Sequence, residues 1–256
     1  MSQTPVPPAT PARAPRLTRE QVRSRLVDAG LDVVRSDGLR VGVSHLPLED
    51  LIRTAGVPRS TVYRIWPSRQ DFFDELLARI PDRLLSTRLD EPALQVGATY
   101  LQRNTDVEAP AEERRATLVA SVAVAIEANY ENTFASRHWR NFVSLAGTVE
   151  SHDEPVRGVV HDALRKRQQH FIENMAKYYR YTLTEAGLRL RPGFGDEYTA
   201  LASAISAYIE GLCVARIAAP ELVTGPLVAE RPESPSLVVA GVMMLIDGFC
   251  EPIPEG

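Results

Sequence analysis

Apolar side chains recur at the 3.6-residue period of an amphipathic helix along most of the chain. The first stripe predicts a helix over residues 18–37, with Thr18 and Gln21 at capping-box spacing and Gly38 just past its end. No sustained alternation of apolar and polar residues predicts a strand. The further helices that the pattern predicts are 48–54, 59–66, 68–80, 112–129, 135–147, 154–186, 197–218 and 237–249. We therefore expect an all-α protein with about nine helices.

The pattern divides the chain into three parts. Residues 1–16 contain five prolines and few large apolar groups, so we expect a disordered arm. The arm either has no role or brings Arg13 and Arg16 to a DNA backbone, as arms of some DNA-binding domains do. Residues 17–80 form the predicted N-terminal domain of short helices. Residues 81–256 form the predicted C-terminal helical domain.

Composition and charge narrow the classes of function. The 256 residues carry a net charge of −4, but residues 1–80 hold 12 arginines against nine acids, whereas the rest holds 17 bases against 24 acids. We call residues 1–80 the head and residues 81–256 the body. A mildly basic head on an acidic body suggests that the head binds a polyanion. No run approaches the roughly 20 uncharged apolar residues that a membrane span needs, and the N-terminus does not resemble a secretory signal. Two cysteines favour a reducing compartment. We expect a cytoplasmic protein without a membrane partner.

The clearest chemical pattern lies in residues 47–77. Two short predicted helices meet at a turn whose Gly56 takes a positive φ without strain, which is the arrangement of a helix-turn-helix. The apolar residues that are spaced to pack on the first helix are Leu51, Ala55, Val57 and Val62. The residues that this packing leaves exposed on the third helix are Arg59, Ser60, Tyr63 and Arg64. Arginine binds guanine or phosphate, and hydroxyls reach phosphate or base edges, so this face suits a DNA major groove.

The same segment resembles the DNA-binding domain of the tetracycline-repressor (TetR) family. The resemblance covers residues 18–80 and rests on the run 55–57 (Ala-Gly-Val), the run 61–63 (Thr-Val-Tyr), Trp66 and Arg69. It implies a one-component bacterial regulator whose helical C-terminal domain binds a ligand and dimerises. The positions that the resemblance assigns to DNA binding are Pro58, Arg59, Ser60, Thr61, Tyr63, Arg64 and Arg69. Arg69 stands in place of the lysine that usually binds phosphate. Two departures from the family pattern are Pro58, where a capping serine is common, and Pro47, near the start of the second helix, where a threonine that often contacts phosphate is frequent.

The C-terminal domain shows no catalytic pattern. It has no glycine-rich phosphate loop, nucleophile elbow or repeated Glu-x-x-His motif, and His161 and His170 lie on opposite faces of one predicted helix. We expect no enzymatic activity, metal or cofactor. Clustered aromatic residues favour a pocket for an apolar or aromatic effector, although such stripes are also typical of a plain core. The candidate ligand contacts are Tyr130, Phe134, His138, Trp139, Phe142, Phe171, Met175 and Tyr178.

The last two predicted helices, 197–218 and 237–249, are strongly apolar, and the second is apolar nearly all round. Within the resemblance they form half of a four-helix bundle between two copies; the alternative is an intramolecular core. We expect a homodimeric regulator that binds an inverted-repeat operator in double-stranded DNA. The preferred interpretation is a repressor, which dissociates from the operator when a small molecule binds. An activator fits the same residues. The alternative from another class is a helical sensor that binds a ligand or partner without specific DNA binding.

Overall fold

The computed structural model describes residues 17–39, 46–84, 91–104, 106, 108–154, 156–195, 197–228, 230–231 and 234–253. Within these ranges the all-α class is confirmed. The predicted arm, residues 1–16, lies outside the described residues. The ten described α-helices are α1 (Arg19–Asp37), α2 (Leu48–Ala55), α3 (Arg59–Ile65), α4 (Arg69–Leu84), α5 (Glu91–Asn104), α6 (Ala111–Ala135), α7 (Arg137–Thr148), α8 (Val156–Glu185), α9 (Thr199–Ala218) and α10 (Leu237–Phe249).

Local capping chemistry sets several helix ends. The capping box predicted at the start of α1 is confirmed, because Gln21 N–H donates to Thr18 Oγ1 at 3.2 Å and Thr18 N–H donates to Gln21 Oε1 at 2.8 Å. Gly38 follows the helix with a φ of 80°. Ser136 and Ser236 cap α7 and α10 through the side-chain oxygen alone, each accepting a backbone N–H three residues on. These ends therefore lie within a few residues of their predicted positions.

One helix, α5, is missing from the sequence prediction. Its central Gly97 lowers helix propensity by about 1 kcal/mol relative to alanine, which weakens the local pattern. The structure packs α5 against α6 so closely that a Cβ at Gly97 would lie 2.9 Å from the Ala125 Cβ. Tertiary packing thus stabilises a helix that the local pattern does not reveal.

A two-stranded antiparallel sheet joins the segment after α8 to the segment after α10. β1 (Leu188–Leu190) pairs antiparallel with β2 (Cys250–Pro252). An ion pair of 2.9 Å between Arg189 Nη2 and Glu251 Oε1 links the two strands. Strands of three residues are too short to show an alternating pattern, so the sequence did not predict them.

Two hydrophobic clusters form the core. The first is built from the helices α1, α2, α3 and α4. It also includes four side chains from the segment that spans α7 and α8, namely Leu145, Val149, Val160 and Leu164. The second joins α6 to α10. The head therefore packs directly on the body. The boundary after residue 80 stays a prediction.

By length and composition, α9 is apolar enough to cross a membrane. Leu201, Ile205 and Ile209 on this helix are almost fully buried within the second cluster. About one-third of the apolar stretch is buried, and this part packs against neighbouring helices.

Candidate nucleic-acid interface and ligand cavity

The turn between α2 and α3 has the predicted left-handed residue. Gly56 has φ 61° and ψ 36°, and its N–H donates to the Arg53 carbonyl at 3.2 Å. The next N–H, from Val57, donates to the Ile52 carbonyl at 3.3 Å. This Gly-centred cap ends α2 sharply and lets α3 begin after Pro58, which contributes no side-chain cap.

The side of the helix-turn-helix that faces α1 is buried, as predicted. Leu51, Val57 and Val62 are each less than one-tenth exposed, and Ala55 is half-buried against the same cluster. Trp66, at the end of α3, is also buried and lies edge-on to the Phe72 ring at 5.2 Å. Trp66 therefore has a packing role, and α3 is fixed in orientation by its inner face.

A polar clasp holds α4 to α1 beneath this motif. Glu75 Oε1 lies 2.8 Å from Arg23 Nε, and Glu75 Oε2 accepts the Trp66 indole N–H at 2.9 Å. Burial raises the pKa of Glu75, but the bonds from Arg23 and Trp66 and the charge of Arg79 outweigh it, so this pKa lies below its usual value. The carboxylate thus stays ionised under near-neutral conditions.

The structure brings the residues assigned to DNA binding to the surface on and around α3. Thr61 is half-buried, and the others are exposed. The exposed members are Pro58, Arg59, Ser60, Tyr63, Arg64 and Arg69. Their role in DNA binding stays a prediction. Arginine and hydroxyl groups on one short helix, with the opposite face buried, can meet both phosphates and base edges.

Several of these side chains have partners that the sequence did not reveal, among them Arg69 and Tyr63. Arg69 Nη2 donates to the Leu46 carbonyl at 2.8 Å, and the guanidinium lies 4.9 Å from the Phe73 ring centroid. Arg69 thus helps to attach α4 to the segment before α2. Tyr63 OH donates to Glu49 Oε1 at 2.8 Å. Glu49 was missed because it lies on α2, and only the packing of α2 on α3 brings it close.

A cavity lies between α6, α7, α8 and α9. Its volume is about 30 Å³, which is enough for water rather than for an organic molecule. Its apolar lining residues are Trp139, Phe171, Met175, Tyr179, Ala202, Ile205 and Ile209, and its polar lining residues are Asn129, Thr133, Arg167, Gln168, Ser206 and Glu210. Of the predicted ligand contacts, Trp139, Phe171 and Met175 line this cavity.

The other predicted ligand contacts lie elsewhere in the described structure. Tyr130 and Phe134 pack around the guanidinium of Arg216, which lies 5.2 and 4.2 Å from their ring centroids. Phe142 packs against the first cluster and under Arg167, and Tyr178 lies beside Tyr179. His138 is half-buried outside the cavity lining. A ligand-binding role for these five residues stays a prediction.

The polar half of the cavity is built around Glu210. Ser206 Oγ donates to Glu210 Oε1 at 3.0 Å. Burial raises the pKa of Glu210, while the Ser206 hydrogen bond and the Arg167 charge act in the opposite direction. Across the cavity, Trp139 Nε1 is buried and has no hydrogen-bond partner among the described residues. A single carboxylate within the apolar helix α9 is the sequence feature that could have indicated this site.

Helix α7 connects the cavity to the head. Asn141 is buried, and its Oδ1 accepts the Leu39 N–H at 2.9 Å just past the end of α1. Arg137 Nη1 donates to the Ser36 carbonyl at 2.6 Å. Since Trp139 on the same helix lines the cavity, α7 contacts both the cavity and the end of α1.

Among the described residues, no group of three or more His, Cys, Asp and Glu side chains could hold a metal ion. Cys213 and Cys250 are both buried free thiols. Burial raises the pKa of Cys213 to about 12, so this thiol is not an activated nucleophile.

Neither a protein-family model nor a curated protein matches the chain. Solved structures that are similar to it include the reduced form of NemR from E. coli, with 15% sequence identity and a TM-score of 0.43, over 91% of this chain and 100% of the other. A TetR-family transcriptional regulator from Agrobacterium tumefaciens shows 13% identity and a TM-score of 0.43, over 91% and 100%. A putative transcriptional regulator from Saccharomonospora viridis in complex with choline shows 18% identity and a TM-score of 0.40, over 91% and 99%.

Proposed function

We propose that the protein is a one-component transcriptional regulator that binds double-stranded DNA through α3 and responds to a small molecule bound between α6 and α9. The observation that carries the proposal is that α3 has both a buried apolar residue and exposed polar and cationic residues. Val62 is fixed in the core, while Arg59, Tyr63 and Arg64 stand exposed on the same helix. This combination of a rigid inner face and a cationic, hydroxyl-bearing outer face suits major-groove binding. The proposed role needs no enzymatic activity, and its DNA target places the protein in the cytoplasm.

The active form in this proposal is a homodimer through α9 and α10. α9 exposes an uncharged strip with spacings of three and four residues, formed by Ser203, Ala207, Gly211, Val214 and Ala218. On α10, the apolar side chain of Met244 is 74% exposed. A second copy would cover these surfaces. Two α3 helices would then reach half-sites about 34–36 Å apart, or a multiple of this, on an inverted repeat.

The effector in this proposal enlarges the cavity on binding. A site for a molecule of benzene size needs about 150 Å³, several times the volume now present. The lining favours an apolar or aromatic body with a polar group that meets Glu210. Separation of the helices would shift α7 and, through Asn141, the head. The proposed outcome is release of the operator, at a coupling free energy of about 1–3 kcal/mol.

The test is a fluorescence-anisotropy titration of the full chain with the DNA that lies upstream of its own gene. A scrambled duplex of equal length is the control, and both titrations are run at two salt concentrations. We expect tighter binding to the upstream DNA and a strong salt dependence for both duplexes. Equal, weak binding to both duplexes, and to fragments from a genome-wide pull-down, would favour the helical sensor without specific DNA binding.

A further inference from the structure

The carboxylate of Glu49, on α2, contacts two exposed side chains of α3. Glu49 Oε1 lies 3.0 Å from Arg59 Nη2 and accepts the Tyr63 hydroxyl at 2.8 Å. The Arg59 guanidinium also lies 5.6 Å from the Tyr63 ring centroid. We call these three residues the Glu49 clasp. All three side chains are substantially exposed, so the clasp forms part of the proposed DNA-binding surface.

The clasp satisfies the groups that a DNA phosphate would otherwise bind. A phosphate oxygen and a carboxylate oxygen accept the same hydrogen bonds from a guanidinium and a phenol. The Tyr63 hydroxyl has one hydrogen to donate, so its bond to a phosphate must displace Glu49. Arg59 keeps further N–H donors, but a phosphate that approaches it is repelled by the adjacent Glu49 carboxylate until that pair opens. Exposed ion pairs are weak, so the displacement is feasible, but it makes each such phosphate contact less favourable.

This competition affects non-specific and specific binding unequally. Non-specific binding depends on phosphate contacts, so the clasp opposes it directly. A specific site also offers base edges, and an arginine that forks onto guanine gains two hydrogen bonds that replace the lost pair with Glu49. Resting on the proposed DNA-binding function, we propose that Glu49 is a specificity-determining residue, which withholds Arg59 and Tyr63 from phosphates and thereby raises the ratio of specific to non-specific affinity.

The test compares Glu49→Gln with the wild-type full chain by anisotropy, using the upstream duplex and the scrambled duplex over a salt series. Glutamine is close in size, removes the charge and keeps one acceptor oxygen, while the other oxygen becomes an NH₂ donor. We expect affinity for the scrambled duplex to rise about threefold or more, and the salt slope to steepen by about 0.9, the amount expected for one further phosphate contact. Affinity for the upstream duplex should rise less, so the specificity ratio falls.

Asp50→Asn is the matched control. Asp50 is the next residue on α2 and pairs with Arg53, at 2.6 Å from its Nη2, rather than with the clasp. Both substitutions remove one negative charge from the first turn of α2, but only Glu49→Gln releases Arg59. The double variant Glu49→Gln/Arg59→Ala provides a second control, because the steeper salt slope should disappear when Arg59 is absent.

The outcomes separate this inference from the proposed function. If the wild-type chain shows no selectivity for upstream or pulled-down DNA, both proposals are wrong. If it is selective but Glu49→Gln leaves the specificity ratio unchanged, only the role of Glu49 is wrong. The same holds if Asp50→Asn has an equal effect or if the steeper slope persists without Arg59. Circular-dichroism melting of each variant verifies that the head remains folded.

Discussion

The arginines around the helix-turn-helix differ in their partners, and the partners decide what each side chain can do. Arg23 is held by Glu75, so it stabilises the head rather than reaching for DNA. Arg69 already donates to the Leu46 carbonyl and attaches α4, so a phosphate would share its guanidinium with this bond. Arg64 Nη2 reaches Thr61 Oγ1 at 3.3 Å, a long hydrogen bond that a guanine can replace at small cost. Residue type alone does not distinguish these roles.

Arg64→Ala should weaken binding to a selective duplex by about 1–3 kcal/mol if the guanidinium reads a guanine. Binding to a scrambled duplex should change much less, because no base contact is lost there. Anisotropy titrations at one salt concentration measure both effects. Arg53→Ala is the control, since Arg53 is exposed on α2 and paired with Asp50. An equal loss for both duplexes would instead assign Arg64 to a phosphate.

Glu75→Gln should lower the thermal stability of the head in a pH-dependent way. The pKa of Glu75 lies below its ordinary value of 4.5, so its ionised form stabilises the fold above that pH, and this contribution is lost as the pH falls through the folded-state pKa. The melting temperatures of wild type and variant should therefore differ near neutral pH and converge in acid. Asp74→Asn, one residue earlier, should not show this convergence. A difference that is constant with pH would contradict the ionic role.

At the scale of elements, the orientation of the proposed recognition helix α3 depends on the turn that separates it from α2. The turn is short, and its direction follows from the left-handed Gly56. The inner residues of both helices then fix their crossing against α1. A change in this turn would alter the position of the whole outer face of α3.

Gly56→Ala should destabilise the head by about 1–2 kcal/mol, because a Cβ is unfavourable in the left-handed region. No atom lies within 4 Å of the added Cβ, so the cost is purely one of backbone conformation. Gly56→Asn should cost less, since asparagine tolerates this region better. Gly147→Ala, in the helix α7, should instead be neutral or stabilising. Thermal unfolding of the wild type and the three variants measures these differences. Equal losses of stability in Gly56→Ala and Gly147→Ala would contradict the role of the left-handed backbone at Gly56.

At the scale of the whole molecule, the head and the body are not independent. Side chains from α7 and α8 complete the first cluster, and Asn141 bonds to the end of α1. Helix α7 therefore contacts both the cavity and the head. This arrangement gives a physical route by which occupancy of the cavity could change the orientation of α3.

Val214→Asp should disrupt the proposed dimer. Val214 lies in the exposed strip of α9, and a second copy that covers it would bury an unpaired carboxylate. We expect the dimer dissociation constant to rise by about 100-fold, equivalent to about 2.8 kcal/mol. Sedimentation velocity over a concentration series measures this change. Val159→Asp replaces an exposed valine on α8 and should leave assembly intact. A dimer unaffected by Val214→Asp would rule out this interface.

The sequence by itself determined the all-α class, most helix positions and the turn at Gly56. These features depend on neighbouring residues: an apolar period, a capping box at Thr18, and a glycine between two short helices. The exposed face of α3 was predictable for the same reason. Once the buried positions of one helix are known, its period assigns the outer positions.

Only the tertiary structure decided which distant side chains meet. Glu49 reaches Tyr63 across two helices, Asn141 reaches Leu39 across about one hundred residues, and Glu210 meets the cavity wall through bundle packing. The packing also left Tyr130 and Phe134 around Arg216 rather than in the cavity. Periodicity assigns a side chain to a face of its own helix. Which other helix covers that face depends on the packing of the entire chain, and this information is not local.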